Sequence, residues 1–263
     1  MIRRRPLASL AAAGLLLLVS VSISGGHHTI TCSAPASMVR FGNPLPNTAR
    51  AVRRGRAVTI VAIGSSSTAG AGASDPAHTY PARLAEELRL RWPGLTVQVI
   101  NSGVGGETAD AMLARFERDV LSYSPQLVIW QTGSNSALQG WDLDVYEATV
   151  RRGIAKLKAA RVDIVLMDPQ YAPRVIARPL HDRFVATVRI VASDLKVAMF
   201  NRFAVMQHWV TSGQLTMEEM VARDQLHMND LSYGCIARLL AEALDFATLV
   251  PPPNPSEVAE GER

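Results

Sequence analysis

The feature that most constrains this chain is the alternation of short apolar runs with longer segments of helical spacing. The apolar runs are β-branched and four to seven residues long, which favours buried strands. They cover Ala57–Ile63, Leu95–Ile100, Leu127–Gln131, Val162–Met167 and Val197–Phe200. Helical spacing extends over Tyr80–Arg91, Thr108–Leu121, Leu143–Ala160, Leu180–Leu195 and Asp230–Phe246.

Apolar strands that alternate with helices predict a parallel sheet covered on both faces. The five runs therefore predict an α/β fold, a three-layer α/β/α sandwich built as one domain over residues 57–249. Ligands of such sheets bind beyond the carboxyl ends of the strands, so we expect the chemistry at that edge.

The N-terminus has the pattern of an export signal. Three arginines, Arg3–Arg5, precede the uncharged run Leu7–Ile23, and small residues follow it. We expect residues 1–34 to be either a cleaved signal peptide or an uncleaved membrane anchor. The protein would then be exported, to the periplasm or the cell exterior.

The segments on either side of the predicted domain differ from it in composition. Residues 35–56 contain three prolines and a cluster of arginines, which predicts a solvated linker. Residues 250–263 are rich in proline and glutamate, which predicts a flexible tail. Without Arg3–Arg5 the 27 basic residues fall to 24 against 23 acidic ones, so charge gives no indication of nucleic-acid binding.

The chain has two cysteines, Cys32 and Cys235. Export would allow them to form a disulfide. The interpretation we favour is that Cys32 lies in a dispensable tail and Cys235 is buried and unreactive on the last helix. Lipid attachment at Cys32 is the third alternative, although Thr29–Thr31 before it makes a poor lipoprotein signal.

Four polar or glycine-rich segments fall at the predicted carboxyl edge or just before the last helix. They are Gly64–Gly70, Asn101–Thr108, Gly133–Asn135 and Asp224–His227. A fold needs turns at these places, but it does not need this selection of side chains.

These segments contain the groups that serine ester hydrolysis requires. Ser66 would supply the nucleophilic hydroxyl, His227 the base, and Asp224 the group that orients the imidazole. The backbone N–H groups of Ser66 and Gly106 and the side-chain amide of Asn135 would form the oxyanion hole.

The four segments, in this order, resemble the four blocks of the SGNH, or GDSL, hydrolases. Gly64-Ser65-Ser66 resembles the nucleophile block, and the next two segments resemble the blocks that carry the oxyanion glycine and asparagine. Asp224-Gln225-Leu226-His227 is similar to the family's Asp-x-x-His. The resemblance covers about residues 57–246 and implies a flavodoxin-like sandwich that cleaves carboxylic esters through an acyl-enzyme.

Two positions depart from the family pattern. Ser65 stands in place of the usual aspartate of the first block, and Ser136 in place of the aspartate that often follows the oxyanion asparagine. Because three serines are adjacent, Ser65 and Ser67 remain alternative nucleophiles. Trp141 and Tyr171 either line the substrate site or pack in the core.

The expected substrate is a small-molecule, glycan or lipid ester, and no cofactor, metal or nucleic acid is expected. The histidines outside His227 have no spacing typical of metal ligands. Two other functions stay open. The Gly64–Gly70 segment would cradle the phosphate of flavin mononucleotide, or the chain would be an inactive exported binding module. A purely structural alternative is that Ser65–Thr68 only cap the helix that follows the first strand.

Overall fold

The computed structural model describes residues 32–249, so the predicted signal segment before Cys32 and the predicted tail lie outside the described residues. Five strands form one sheet: β1 (Val58–Gly64), β2 (Val97–Gly103), β3 (Leu127–Gln131), β4 (Asp163–Met167) and β5 (Ala198–Phe200). All are parallel, in the order β2-β1-β3-β4-β5. This is the flavodoxin-like order, which confirms the predicted fold class.

Helices follow or precede each strand. They are α1 (Ala36–Val39), α2 (Pro46–Arg53), α3 (Ser66–Ala69), α4 (Tyr80–Arg91), α5 (Ala109–Ala114), α6 (Phe116–Asp119), α7 (Ser134–Leu138), α8 (Leu143–Ala159), α9 (Pro173–Ile176), α10 (His181–Asp194), α11 (Arg202–Thr211), α12 (Met217–Met220) and α13 (Asp230–Leu249). Within residues 32–249, no helix combines the length and the hydrophobicity needed to cross a bilayer.

The sheet separates two apolar cores because successive strand residues point to opposite faces. Ile60 and Ala62 of β1 pack with α2, α4, α11 and α13 on one face. Val61 and Ile63 pack with α5, α8 and α10 on the other face. Both faces are therefore covered, which explains why the strands are almost continuously apolar.

One predicted helix is interrupted. Helical spacing predicts a single helix over Thr108–Leu121, but the structure divides it into α5, α6 and a 3₁₀ turn at Leu121–Tyr123. The first break falls at Arg115, whose φ of −106° and ψ of 9° lie outside the helical region. The guanidinium of Arg115 turns inward and donates to the carbonyl oxygen of Ser102 at 2.7 Å. This contact between Arg115 and the end of β2 accompanies the break.

The expectation of a solvated linker at residues 35–56 is wrong. The segment contains α1 and α2, and α2 buries Thr48, Ala49 and Ala51. The backbone N–H and the hydroxyl of Thr48 both donate to a carboxylate oxygen of Asp163, at 2.8 and 2.9 Å. The arginines of this segment face solvent and its small residues face the domain, so α2 is part of the folded unit.

The favoured interpretation of the cysteines is wrong for Cys32, whereas Cys235 is buried on the last helix as expected. Cys32 and Cys235 form a disulfide, with their Cα atoms 5.6 Å apart and a separation of 203 positions in sequence. The bond attaches the start of the described chain to α13. Nearby, the Ser33 backbone N–H donates to Gln214 at 2.9 Å, so the attachment extends beyond the disulfide.

Candidate active site

The polar segments gather at the carboxyl edge of the sheet, where β1 and β3 are neighbours and their connections leave in opposite directions. This position is the topological switch point of a doubly wound sheet, where ligands bind. Ser66 begins α3 directly after β1, and Asn135 lies in α7 directly after β3.

Three side chains form a continuous chain of hydrogen bonds at this edge. The Oγ of Ser66 lies 2.7 Å from Nε2 of His227. The Nδ1 of His227 lies 2.5 Å from Oδ2 of Asp224. The His227 side chain is 14% exposed and that of Asp224 is 43% exposed, so the chain runs from the protein interior towards solvent. The arrangement orients the imidazole and leaves Nε2 directed at the hydroxyl.

A tight turn holds Asp224 and His227 together. The Oδ1 of Asp224 accepts hydrogen bonds from the N–H groups of Leu226 and His227, both at 3.0 Å. Gln225 between them has a φ of +58°, in the left-handed region. Burial acts to raise the pKa of Asp224, but these N–H donors and the His227 ring outweigh it and lower the pKa to about 2. Asp224 is therefore a carboxylate at neutral pH.

The three adjacent serines have different surroundings. Ser65 and Ser67 are buried, and both hydroxyls donate to Oε1 of Gln131, at 3.1 and 3.0 Å. The Ser65 backbone N–H and the Thr68 hydroxyl donate to the same oxygen, at 3.0 and 3.2 Å. Gln131 thus fixes the start of α3 and holds the hydroxyls of Ser65 and Ser67 towards the protein interior. Ser66 is the serine that faces His227.

Two glycines allow α3 to approach the sheet. Gly64 and Gly103 are paired across β1 and β2. A Cβ at Gly64 would lie 2.1 Å from the Thr68 hydroxyl, and one at Gly103 would lie 2.1 Å from the backbone nitrogen of Ala69. Any larger residue would therefore displace the helix that carries Ser66.

The two segments that are predicted to form the oxyanion hole are joined by a hydrogen bond. Nδ2 of Asn135 donates to the carbonyl oxygen of Glu107 at 2.9 Å. A primary amide has two N–H groups, so the second remains for a ligand. Gly106, directly before Glu107, has a φ of +81°, which favours glycine. A Cβ at Gly105 would lie 3.9 Å from Cβ of Ser66, so this loop passes against the predicted nucleophile.

A buried ion pair supports the same loop. Arg115 is 7% exposed, and its Nη2 lies 2.7 Å from Oε2 of Glu107. Its contacts with Ser102 and Gly64 connect the loop to the ends of β2 and β1. Sequence reasoning missed both Arg115 and Gln131. The signal for Gln131 was a polar residue that ends an otherwise apolar strand, Leu127–Gln131.

Tyr171 and Trp141, the two aromatic residues considered as possible lining of the substrate site, both pack against other parts of the protein. Tyr171 contacts Phe203 edge to face, with ring centroids 5.1 Å apart, and Trp141 packs on the core beneath α8. Within the part of the chain that the structure describes, no group of three or more His, Cys, Asp or Glu side chains is arranged to hold a metal ion.

The sheet order and the polar edge define the class of protein, an SGNH-type ester hydrolase. The chain belongs to the non-GDSL lipase-like family, whose model matches residues 31–248. The resemblance stated from the four sequence blocks is thereby confirmed.

Three similar proteins are informative. An acetylxylan esterase of Geobacillus stearothermophilus is 24% identical over 180 residues, which cover 64% of this chain and 81% of the relative. Thioesterase 1/protease 1/lysophospholipase L1 of Escherichia coli K12 is 28% identical over 151 residues, which cover 57% and 69%. The first two relatives are named as ester-cleaving enzymes, and the expectation of a carboxylic ester hydrolase is confirmed.

The third is a solved structure, a two-domain esterase active on acetylated mannans and co-crystallized with mannopentaose. It superposes with a TM-score of 0.70 at 21% identity, over 82% of this chain and 57% of that one. The chain therefore spans little more than half of the two-domain protein. This likeness supports the fold.

Proposed function

We propose that the chain is an exported serine esterase in which Ser66 is the nucleophile and His227 the general base. The observation that carries the proposal is the hydrogen-bonded chain from Asp224 through His227 to Ser66, with distances of 2.5 and 2.7 Å. The 2.7 Å contact between Ser66 and His227 lies within the range for a nucleophile and its base.

In the first half of the reaction, Nε2 of His227 takes the Ser66 proton as Oγ attacks the ester carbonyl carbon. Asp224 stabilises the imidazolium that forms. The N–H groups of Ser66 and Gly106 and the free amide N–H of Asn135 stabilise the oxyanion. Collapse of the tetrahedral intermediate passes the proton to the leaving alcohol and leaves an acyl group on Ser66.

In the second half, His227 takes a proton from water, and the hydroxide attacks the acyl-enzyme carbonyl. The second tetrahedral intermediate uses the same oxyanion donors. Its collapse releases the carboxylic acid and returns the proton from His227 to Ser66. The proposed cycle needs no cofactor.

We propose acetylated carbohydrates as the substrate class. The support is the relationship to proteins named as an acetylxylan esterase and as an esterase active on acetylated mannans. The lysophospholipase relative makes long-chain lipid esters the second candidate. The two candidates differ in acyl length and in the alcohol, so one substrate panel separates them.

Export is supported by Arg3–Arg5 before Leu7–Ile23 in the sequence. The Cys32–Cys235 disulfide adds to this, because disulfides persist mainly in oxidising compartments. Detection of the native protein in the cytoplasm with an intact N-terminus would count against it.

The flavin alternative has less support. The loop would cradle a phosphate through its backbone N–H groups, but that of Ser65 donates to Gln131 and that of Thr68 to the backbone oxygen of Ser65. Purified protein should therefore lack flavin absorbance.

The experiment that tests the proposed function is a panel of p-nitrophenyl esters from acetate to palmitate, together with acetylated xylo- and manno-oligosaccharides. We expect kcat/KM to be highest for acetyl esters and to fall with chain length. Ser66→Ala should lose about 10⁴-fold or more, whereas Ser65→Ala, the matched neighbour, should retain turnover. Preference for palmitate would refute the substrate class, and failure on every ester would favour the inactive binding module.

A further inference from the structure

A buried arginine lies beneath the proposed catalytic centre. Arg202 is the first residue of α11, directly beyond β5, and is 0% exposed. Burying a guanidinium is unfavourable unless its N–H groups are bound, and this one is bound in three directions. Nε donates to the backbone oxygen of Asp168 at 3.0 Å, Nη1 to the hydroxyl of Ser67 at 3.1 Å, and Nη2 to Oε1 of Gln170 at 3.0 Å.

Gln170 extends this network to two more segments. Its Oε1 also accepts a hydrogen bond from the Ser134 hydroxyl at 2.8 Å. Its Nε2 donates to the backbone oxygen of Leu226 at 3.1 Å. Gln170 is itself buried, so its bonds do not compete with bulk water.

Three of the groups bound by this network are each next in sequence to a proposed site residue. Ser67 follows Ser66, Ser134 precedes Asn135, and Leu226 precedes His227. Three segments far apart in the chain are thus held by one cation and one amide. A guanidinium suits this role because its donors point in fixed directions within one plane.

We propose that Arg202 and Gln170 are positioning residues that set the distance between the nucleophile, the base and the oxyanion donor. The inference rests on the proposed function of Ser66, His227 and Asn135. It goes beyond that function because neither residue contacts the reacting atoms. A displacement of about 1 Å between reacting groups costs on the order of 100-fold in rate, so loss of the network should act on kcat.

The same cluster offers a matched control. The carboxylate of Asp168, which accepts from the Phe203 N–H at 2.8 Å, is bound by Arg189 at 3.0 Å. Arg189 is 39% exposed and approaches from the solvent side. Its removal disturbs Asp168 without removing a bond to the segments that hold Ser66, Asn135 or His227.

The test compares Gln170→Met, Arg202→Lys, Arg202→Met and Arg189→Met in steady-state kinetics with p-nitrophenyl acetate, with thermal melting as the fold check. We expect Gln170→Met to lower kcat by roughly 10- to 100-fold with KM within about twofold. Arg202→Lys keeps the charge and should lose less rate than Arg202→Met. Arg189→Met should keep kcat within about twofold. A folded Gln170→Met enzyme with wild-type kcat would overturn the proposal.

Hydrogen exchange separates this proposal from the proposed function, because it needs no activity. In Gln170→Met, the amides of residues 65–68, 133–136 and 225–227 should exchange faster together, whereas Arg189→Met should leave them unchanged. Unchanged exchange in Gln170→Met would refute the network even if the wild type is an active esterase. If Arg202→Met does not fold, Gln170→Met and Ser67→Ala, which removes one contact, still decide the question.

Discussion

Replacement of Gly103 by alanine tests how the fold positions Ser66. The new Cβ would lie 2.1 Å from the backbone nitrogen of Ala69 and 2.6 Å from its Cα, whereas ordinary contact begins near 3.4 Å. Backbone atoms cannot rotate away as a side-chain tip can. Either β2 or α3 must therefore move by more than 1 Å, and α3 carries Ser66 at its first position.

The expected cost is in both rate and stability. A misplacement of about 1 Å lowers kcat on the order of 100-fold. Overpacking in a filled interior costs about 1–3 kcal/mol in the free energy of unfolding. We expect Gly103→Ala to show both effects, with KM changed far less than kcat. Steady-state kinetics and thermal melting on the same preparation measure them.

Two further glycines provide matched controls. A Cβ at Gly153 would lie 2.4 Å from the ring of Trp130, in the core beneath α8, and its nearest neighbours include no atom of α3. Gly153→Ala should therefore lose stability but keep kcat. Gly234 has open space around it inside α13, so Gly234→Ala should gain about 0.5–1 kcal/mol. Wild-type kcat in a folded Gly103→Ala variant would refute the reasoning.

The remaining predictions concern the proposed oxyanion donor Asn135, the disulfide and the carboxylate of Asp224. Asn135→Ala should lower kcat by about 10²- to 10³-fold with little change in KM, and near-normal turnover would reject its role. Reduction of Cys32–Cys235 removes a cross-link over 203 residues, worth about 5 kcal/mol in the chain-entropy model, so Tm should fall by roughly 10–20 °C. An unchanged Tm would show that the bond adds nothing. Because the pKa of Asp224 is lowered from 3.8 to about 2, its stabilising effect is present above pH 3.8 and lost towards pH 2. The difference in Tm between wild type and Asp224→Asn should therefore become smaller as the pH is lowered from 3.8 to 2. A difference that stays constant would contradict the lowered pKa of Asp224.

Much of the fold could be predicted because its signals are local. The strand at Leu127–Gln131 and the helix at Tyr80–Arg91 have the predicted bounds, since each has a clear period and clear ends. Helix α11 was missed because its apolar residues extend around most of its surface and leave little periodicity. The linker was misjudged because proline and arginine dominated the composition, while the buried face of α2 consists of small residues.

The candidate site likewise has a part that local sequence motifs predict and a part that depends on contacts between distant segments. Ser66, Asp224 and His227 lie in short motifs, so the sequence alone predicts them as candidate site residues. Which of the three adjacent serines faces His227 depends on Gln131. This residue lies 65 residues beyond Ser66 and binds the hydroxyls of Ser65 and Ser67. The contacts of Arg202 with Ser67 and Gln170 join distant segments, and no local pattern reports them. That Cys32 and Cys235 lie close enough to pair likewise depends on the fold and not on a local pattern.

Identification of the residue that becomes covalently modified tests the central claim most directly. The wild-type protein is treated with an activated organophosphonate, digested and analysed by peptide mass spectrometry, with Ser65→Ala and Ser66→Ala treated in parallel. We predict a single adduct on Ser66, retained in Ser65→Ala and lost, together with ester hydrolysis, in Ser66→Ala. An adduct on Ser65 or Ser67, or esterase activity that persists in Ser66→Ala, would contradict the account.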